Sequence, residues 1–115
     1  MARINSVKFG EIEIEGKIYY SDMVVWWDGK VQYREKSHIF DVEEFLQLLN
    51  RKPNVIVVGR GVGEAPQLRI NSKVKELAEY RKIDLFGERS EKAVELFNAF
   101  VSDGKKAVAV IHTTS

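Results

Sequence analysis

From residue 11 the chain alternates strictly: Glu11-Ile12-Glu13-Ile14-Glu15 sets isoleucine on one side of an extended segment and glutamate on the other. Gly16 permits a reversal into Lys17-Ile18-Tyr19-Tyr20, so the pattern predicts a half-buried β-hairpin. In a second hairpin, Val24-Val25-Trp26-Trp27 and Lys30-Val31-Gln32-Tyr33 flank Asp28-Gly29, the dipeptide suited to a two-residue type I′ turn. That turn opposes Trp27 to Lys30 and Trp26 to Val31. It predicts an apolar face of Val24, Trp26, Val31 and Tyr33 and a second face of Val25, Trp27, Lys30 and Gln32. Trp26 then belongs to the core, while Trp27 shares its face with a lysine and a glutamine. A large ring in that company suits a contact with a partner or a second copy, so Val25, Trp27 and Lys30 form a candidate interface.

At Asp41 the period lengthens from 2 to 3.6. Val42, Phe45, Leu46 and Leu49 recur at helical spacing, with Asp41 as cap, Glu44 at the capping-box position and Phe40 stapled to Phe45. The helix stops before Pro53. Val55-Ile56-Val57-Val58 is an unbroken β-branched run, the mark of a strand covered on both faces, and it runs into Gly59-Arg60-Gly61-Val62-Gly63. A short extended piece from Gln67 to Ile70 leads to Ser72, cap of a second helix carrying Val74, Leu77 and Ala78. Ile83-Asp84-Leu85-Phe86 reads as a strand ended by Gly87. Ser90 caps a third helix whose stripe is Ala93, Val94, Phe97, Phe100 and Val101, with Gly104 at its C′ position. Ala107 to Ile111 is a last buried strand.

The second half therefore alternates strand and helix, which predicts an α/β fold with parallel strands joined by right-handed crossovers. The expected organisation is one domain over 1–115, with a β-hairpin layer at 1–36 and an α/β core at 37–115. Parallel strands bring the 59–63 loop, the 87–90 turn and the 112–115 tail to one sheet edge, where ligands of such folds bind. Gly59, Arg60 and Gly61 can hold an anion there, with Arg89, Ser90 and His112 lining the opposite side. The glycine run matches neither the dinucleotide fingerprint nor the phosphate-loop pattern, so a plain tight turn is the competing reading. His112 is either a hydrogen-bonded structural histidine or a general base, and no spacing selects a nucleophile for it. His38 reads as a loop or strand-end residue. Asp28 is assigned to a turn, Asp41 to a cap, and Glu43 and Glu44 to a helix start. Asp22 alone among these carboxylates has no local role.

Composition narrows the classes. The chain has 115 residues, 44% hydrophobic and 30% charged, with net charge +1, which fits one folded domain and lacks the basic excess of a nucleic-acid binder. Without cysteine there is no disulfide, thiolate nucleophile or Cys-based metal site, and two distant histidines do not make a metal centre. No metal or cofactor is expected. The first residues lack the apolar region of a signal peptide and the apolar runs are far below spanning length, so a soluble, cytoplasmic protein without membrane contact is expected.

Several short motifs fall in a telling order: Ile4-Asn5-Ser6, Phe9-Gly10-Glu11-Ile12, Gly16-Lys17, His38 ahead of Asp41, Val57-Val58-Gly59-Arg60-Gly61, Ala93-Val94, Phe97-Asn98, and Gly104-Lys105 before Ala109 and His112. In these the chain resembles the adipogenesis-associated protein family of small single-domain proteins, which includes a mitochondrial complex I assembly factor. The resemblance implies a three-layer α/β domain with a mixed central sheet, helices and an N-terminal β-rich layer, and no established catalytic activity. Where that family often has Gly-Thr-Gly, this chain has Gly59-Arg60-Gly61. A threonine is replaced by Ser90, and a closing His-Leu-Thr-Cys by His112-Thr113-Thr114-Ser115. The first functional reading is thus a non-enzymatic protein-interaction or assembly module, expected to form a homodimer or hold an unidentified protein partner. The second is a small anionic-ligand binder or enzyme using the cleft near Gly59–Gly61 and His112.

Overall fold

The two unbroken apolar runs form adjacent parallel strands in the middle of a five-stranded sheet. The computed structural model describes residues 2–115. An antiparallel meander comes first: β1 (Ile4–Lys8), β2 (Glu11–Ile14) and β3 (Lys17–Tyr19). The hairpin of β4 (Met23–Trp26) and β5 (Val31–Tyr33) follows, then β6 (Ile39–Phe40) and α1 (Val42–Leu48), which tightens into a 3-10 turn at Leu49–Arg51. Next come β7 (Val55–Gly59), β8 (Arg69–Ile70), α2 (Ser72–Tyr80), β9 (Asp84–Glu88), α3 (Ser90–Ser102) and β10 (Ala107–Ile111). The central sheet has the order β5-β4-β10-β7-β9. Strands β10, β7 and β9 run parallel, and β4 runs antiparallel to its neighbours β10 and β5.

Strand pleating divides the core. Met23, Val25, Val55, Val57, Ala107, Ala109 and Ile111 point to one face, where α3 and the meander cover them with Phe97, Val94, Ile4, Ile12 and Ile14. Val24, Trp26, Ile56, Val58, Val108 and Val110 point to the other, under Phe45 and Leu48 of α1 and Val74 and Ala78 of α2. That is a three-layer α/β domain with a mixed central sheet. Its radius of gyration, 12.6 Å, is that of one domain of this length. No helix among the described residues is long and apolar enough to cross a membrane.

Several local expectations need correction. The second hairpin closes with three loop residues, Trp27, Asp28 and Gly29, rather than two: Gly29 N–H donates to the Trp26 carbonyl (3.0 Å), Trp26 N–H to that of Lys30 (2.9 Å), and Gly29 has φ +96°. The pairing is Val25 with Val31 and Met23 with Tyr33, one residue away from the predicted register. Val31 and Tyr33 therefore share a face with Val25, while Gln32 joins Trp26 and accepts its indole N–H at 2.9 Å. This hairpin belongs to the central sheet, so the N-terminal layer ends with β3 instead of at residue 36. The second helix is capped by Asn71, whose side chain accepts from Lys73 N–H (2.9 Å) and donates to Asp41 Oδ1 (2.8 Å), tying two helix starts together. Leu46 is exposed and Leu48 takes the core position. Gly87 lies inside β9 rather than ending it, and Ser90 makes no cap hydrogen bond at the start of α3.

Candidate functional site

Register lines up four even-numbered residues across one end of the central sheet. Ile111 pairs with Met23 and with Gly59, which places His112 beside Asp22 on one side and Arg60 on the other. Arg34 N–H donates to the Asp22 carbonyl (2.9 Å), extending the row to β5. Side chains of this row lie on the face of Trp26 and Val110, towards α1 and α2.

Asp22, Arg34 and His112 are buried, at 4%, 6% and 0% exposure. Asp22 Oδ1 accepts from Thr113 N–H (3.0 Å) and the Thr113 hydroxyl (3.2 Å); its Oδ2 accepts from Arg34 Nη1 (3.2 Å) and lies 2.6 Å from His112 Nδ1. The Arg34 guanidinium grips Glu44 with Nε (2.7 Å) and Nη2 (3.1 Å) and donates to the carbonyls of Ser37 (3.2 Å) and Ile39 (3.1 Å). Its donor fork is thereby fully engaged. Among the described residues no buried side-chain nitrogen or oxygen lacks a partner, the condition under which buried charge is tolerable.

The carboxylate only accepts, so Nδ1 of His112 carries the proton towards Asp22. Its Nε2 faces the Ser115 carbonyl at 3.0 Å and the Thr114 hydroxyl at 3.5 Å, and the His38 ring meets it edge-on at 5.3 Å. An Asp–His pair of this kind orients a general base in many hydrolases, but here the far nitrogen is turned onto the chain's own tail. Ser90 does not face the ring: its hydroxyl donates to the His112 carbonyl (2.6 Å) and accepts Gly61 N–H (3.0 Å). Ser90 thereby holds the ends of two strands together.

Of the residues expected at a ligand cleft, Gly59, Gly61, Ser90 and His112 come together, and Arg60 and Arg89 do not join them. A Cβ on Gly59 would lie 2.8 Å from Ser90 Oγ, and one on Gly61, at φ +141°, 2.7 Å from the Thr114 carbonyl. The amides of the glycine run are engaged internally: Arg60 N–H donates to Glu88, Gly61 N–H to Ser90 and Val62 N–H to Thr114. The anion cradle expected over Gly59–Gly61 is filled from within. Arg60 turns towards α2, its Nε donating to the Leu68 carbonyl (2.8 Å), and Arg89 stands exposed, 3.9 Å from Glu91. Among the described residues no group of three His, Cys, Asp or Glu side chains is placed to hold a metal.

Of the expected interface residues, Val25 is fully buried in the core, so it takes no part in any surface. Lys30 is exposed. Trp27 is a half-buried loop residue, edge-on to Trp26 at 5.8 Å, and the Arg51 guanidinium lies over both rings at 4.6 and 4.8 Å. Asp28 holds Arg51 in that position (2.5 Å), and the same hydrogen bond keeps its carboxyl below the ordinary value of 3.8. Trp27, expected to share its face with a lysine and a glutamine, instead has a cation over its ring.

Sequence reasoning missed Arg34 and Glu44. One signal was present: Asp22 was a carboxylate without a local role, and such a residue is buried against a cation more readily than it is left idle. Next to this network an open groove of about 930 Å³ runs between β5 and α1, lined by Trp26, Gln32, Tyr33, Glu35, Gln47 and Arg51. Strand β5 is an edge of the central sheet. The Lys30 carbonyl accepts Trp26 N–H and Arg34 N–H donates to the Asp22 carbonyl, so by the alternation of an antiparallel ladder Val31 and Tyr33 turn their N–H and C=O groups outwards.

The sequence profile of a family described as protein of unknown function (DUF498/DUF598) matches residues 4–112. Among solved structures, a conserved hypothetical protein from Pyrococcus horikoshii is 26% identical, matched over 98% of this chain and 99% of its own with a TM-score of 0.85. The protein designated MT938 is 29% identical over the whole of both chains, TM-score 0.81. An Mth938-like domain from Bordetella pertussis shares the fold at 13% identity, over 97% of this chain and 85% of that one, TM-score 0.64.

Proposed function

The chain belongs to the DUF498/DUF598 family of proteins of unknown function, and within it we propose that this protein is a non-enzymatic protein-interaction module. The observation that carries the reading is the open edge of β5, with the outward backbone groups of Val31 and Tyr33 beside the α1 groove. An unpaired edge is a template for one more strand, supplied by an extended segment of another chain. Tyr33, 71% exposed, adds apolar area beside it, with the Tyr19 ring edge-on at 6.0 Å. The buried Asp22–His112 pair, closed over by the tail, supports the non-enzymatic half of the reading. The occupant proposed is the β5 edge of a second copy, which extends the central sheet across a homodimer.

Val31→Pro tests it. The substitution removes an N–H that faces outwards, so the internal ladder is kept while the edge is blocked. Light scattering is expected to show a dimer for the wild type and a monomer for the variant, with unchanged circular dichroism. A wild type that stays monomeric at the highest attainable concentration, or a variant that dimerises equally well, overturns the edge-pairing reading. Kinship with the adipogenesis-associated branch and a cytoplasmic location belong to the same proposal. The first is supported by the ordered motifs between Ile4 and His112, and the second is read by cell fractionation.

A further inference from the structure

At the opposite edge of the central sheet, beyond β9, Arg60, Arg69 and Lys75 line a groove of about 640 Å³ together with Ile70, Leu85 and Gly87. No acidic residue lines it, and none of the three cations forms an ion pair among the described residues. Three like charges on one groove repel, and nothing in the groove wall offsets them. Arg60 is the anchored member. Its Nε is fixed to the Leu68 carbonyl at 2.8 Å, which leaves both terminal nitrogens without a protein partner among the described residues. Arg69 and Lys75 are exposed, one from β8 and one from the first turns of α2.

Gly87 keeps this groove open. A Cβ there would lie 2.7 Å from Ile70 Cδ1 and 3.7 Å from Arg60 Cδ. The bare strand position also uncovers backbone. Asp84 N–H donates to Asn54 and Glu88 accepts from Arg60, so Asp84, Phe86 and Glu88 direct their backbone groups at β7. By alternation Leu85 and Gly87 direct theirs out of the sheet edge. The donors around the groove are thus a fixed guanidinium, a second guanidinium, an ammonium and an edge amide, beside an apolar wall of Ile70 and Leu85.

We infer that this groove binds a phosphomonoester. Three cations and an amide exceed what a monoanionic carboxylate can use, whereas a dianionic phosphate offers three terminal oxygens to them. The volume is larger than a bare phosphate needs and lies in the range of small-molecule sites, so the organic body of the ester rests on Ile70 and Leu85. The inference is independent of β5 pairing, because the groove lies on the other edge of the sheet.

The test is thermal shift and calorimetric titration at fixed ionic strength with inorganic phosphate, adenosine 5′-monophosphate and adenosine. Wild type is expected to bind the monophosphate saturably, with inorganic phosphate competing and adenosine at least tenfold weaker. Arg69→Ala/Lys75→Ala changes two exposed side chains, and its urea midpoint without ligand checks that the fold is kept. Its affinity for the monophosphate is expected to fall at least tenfold, since each charge-assisted contact is worth about that factor. Absence of saturable binding to phosphate and monophosphate, adenosine binding as tightly as its monophosphate, or undiminished binding by the double variant overturns the inference. Its dimerisation is expected to match the wild type, so loss of one proposal leaves the other standing.

Discussion

Asp22→Ala removes the acceptor of four hydrogen bonds, two from Thr113 and one each from Arg34 and His112. The Thr113 hydroxyl can rotate to another acceptor, but its amide, the imidazole N–H and one guanidinium N–H stay buried without a partner. Arg34 keeps Glu44, so its charge is not wholly uncompensated. Breaking a buried ion pair from one side costs about 3–5 kcal/mol. Against a total of roughly 6–17 kcal/mol for a domain of this length, that is a large share. At about 4 °C per kcal/mol the melting point is expected to fall by roughly 12–20 °C. Urea unfolding followed by the fluorescence of buried Trp26 measures the free energy directly, with the m-value as a check on two-state behaviour. The companion variant Asp22→Leu/Arg34→Met takes away both charges and fills the space with apolar atoms, so it is expected to recover a large part of the loss. A loss below about 1 kcal/mol for Asp22→Ala, or a double variant whose cost is the plain sum of its parts, would show that the pair is not coupled and refute the reasoning.

Asp28→Asn keeps the loop but ends the charged grip on Arg51. Because Arg51 depresses the Asp28 carboxyl, the stability this pair adds is fully present above the unfolded value near 3.8 and is lost as pH falls through the lower folded value. The difference in urea midpoint between wild type and Asp28→Asn is therefore expected to be constant near neutrality and to vanish only in strong acid; a difference that grows on acidification contradicts the assignment. Gly61→Ala and Gly63→Ala both place a side chain at positive φ, yet only at Gly61 does the new Cβ meet backbone, at 2.7 Å. Gly61→Ala is expected to be about 1–3 kcal/mol the more costly of the two in urea unfolding, and equal costs would mean that the tail yields freely.

Elements whose burial is two-sided or strongly periodic were legible in the sequence. The Val55–Val58 run, Ala107–Ile111 and the stripe of α3 read directly, because nothing but a covered strand or a core helix suits them, and β7 takes in Gly59 as well. What failed were choices between near-equal local options. Asn71 and Ser72 both cap well, and the decision came from Asp41, a partner thirty residues away. Arg60 sits in a glycine run that looks like an anion loop, but the amides there are consumed by Glu88, Ser90 and Thr114, which come from other elements. The basic groove was illegible for the same reason: Arg60, Arg69 and Lys75 are drawn together by crossover geometry, not by spacing along the chain.

The hairpin register shows how a buried charge can decide where propensity does not. Asp28-Gly29 favours a two-residue turn, which would set Arg34 opposite Met23 and Asp22 opposite Glu35. That arrangement directs Arg34 and Asp22 to opposite faces of the sheet and leaves Asp22 facing a like charge. Adding Trp27 to the loop shifts every pairing by one. Asp22 and Arg34 then face each other across the strands, His112 arrives from β10 on the same side, and Glu44 closes the network from α1. A slip costs an unpaired buried charge, several kcal/mol, whereas the preference between turn types is worth far less. The displaced ring is not left in water, since Arg51 reaches over Trp26 and Trp27 and is itself held by Asp28. One choice of register thus sets both the buried network and the cation over the indoles, and both follow from the pairing of Asp22 with Arg34.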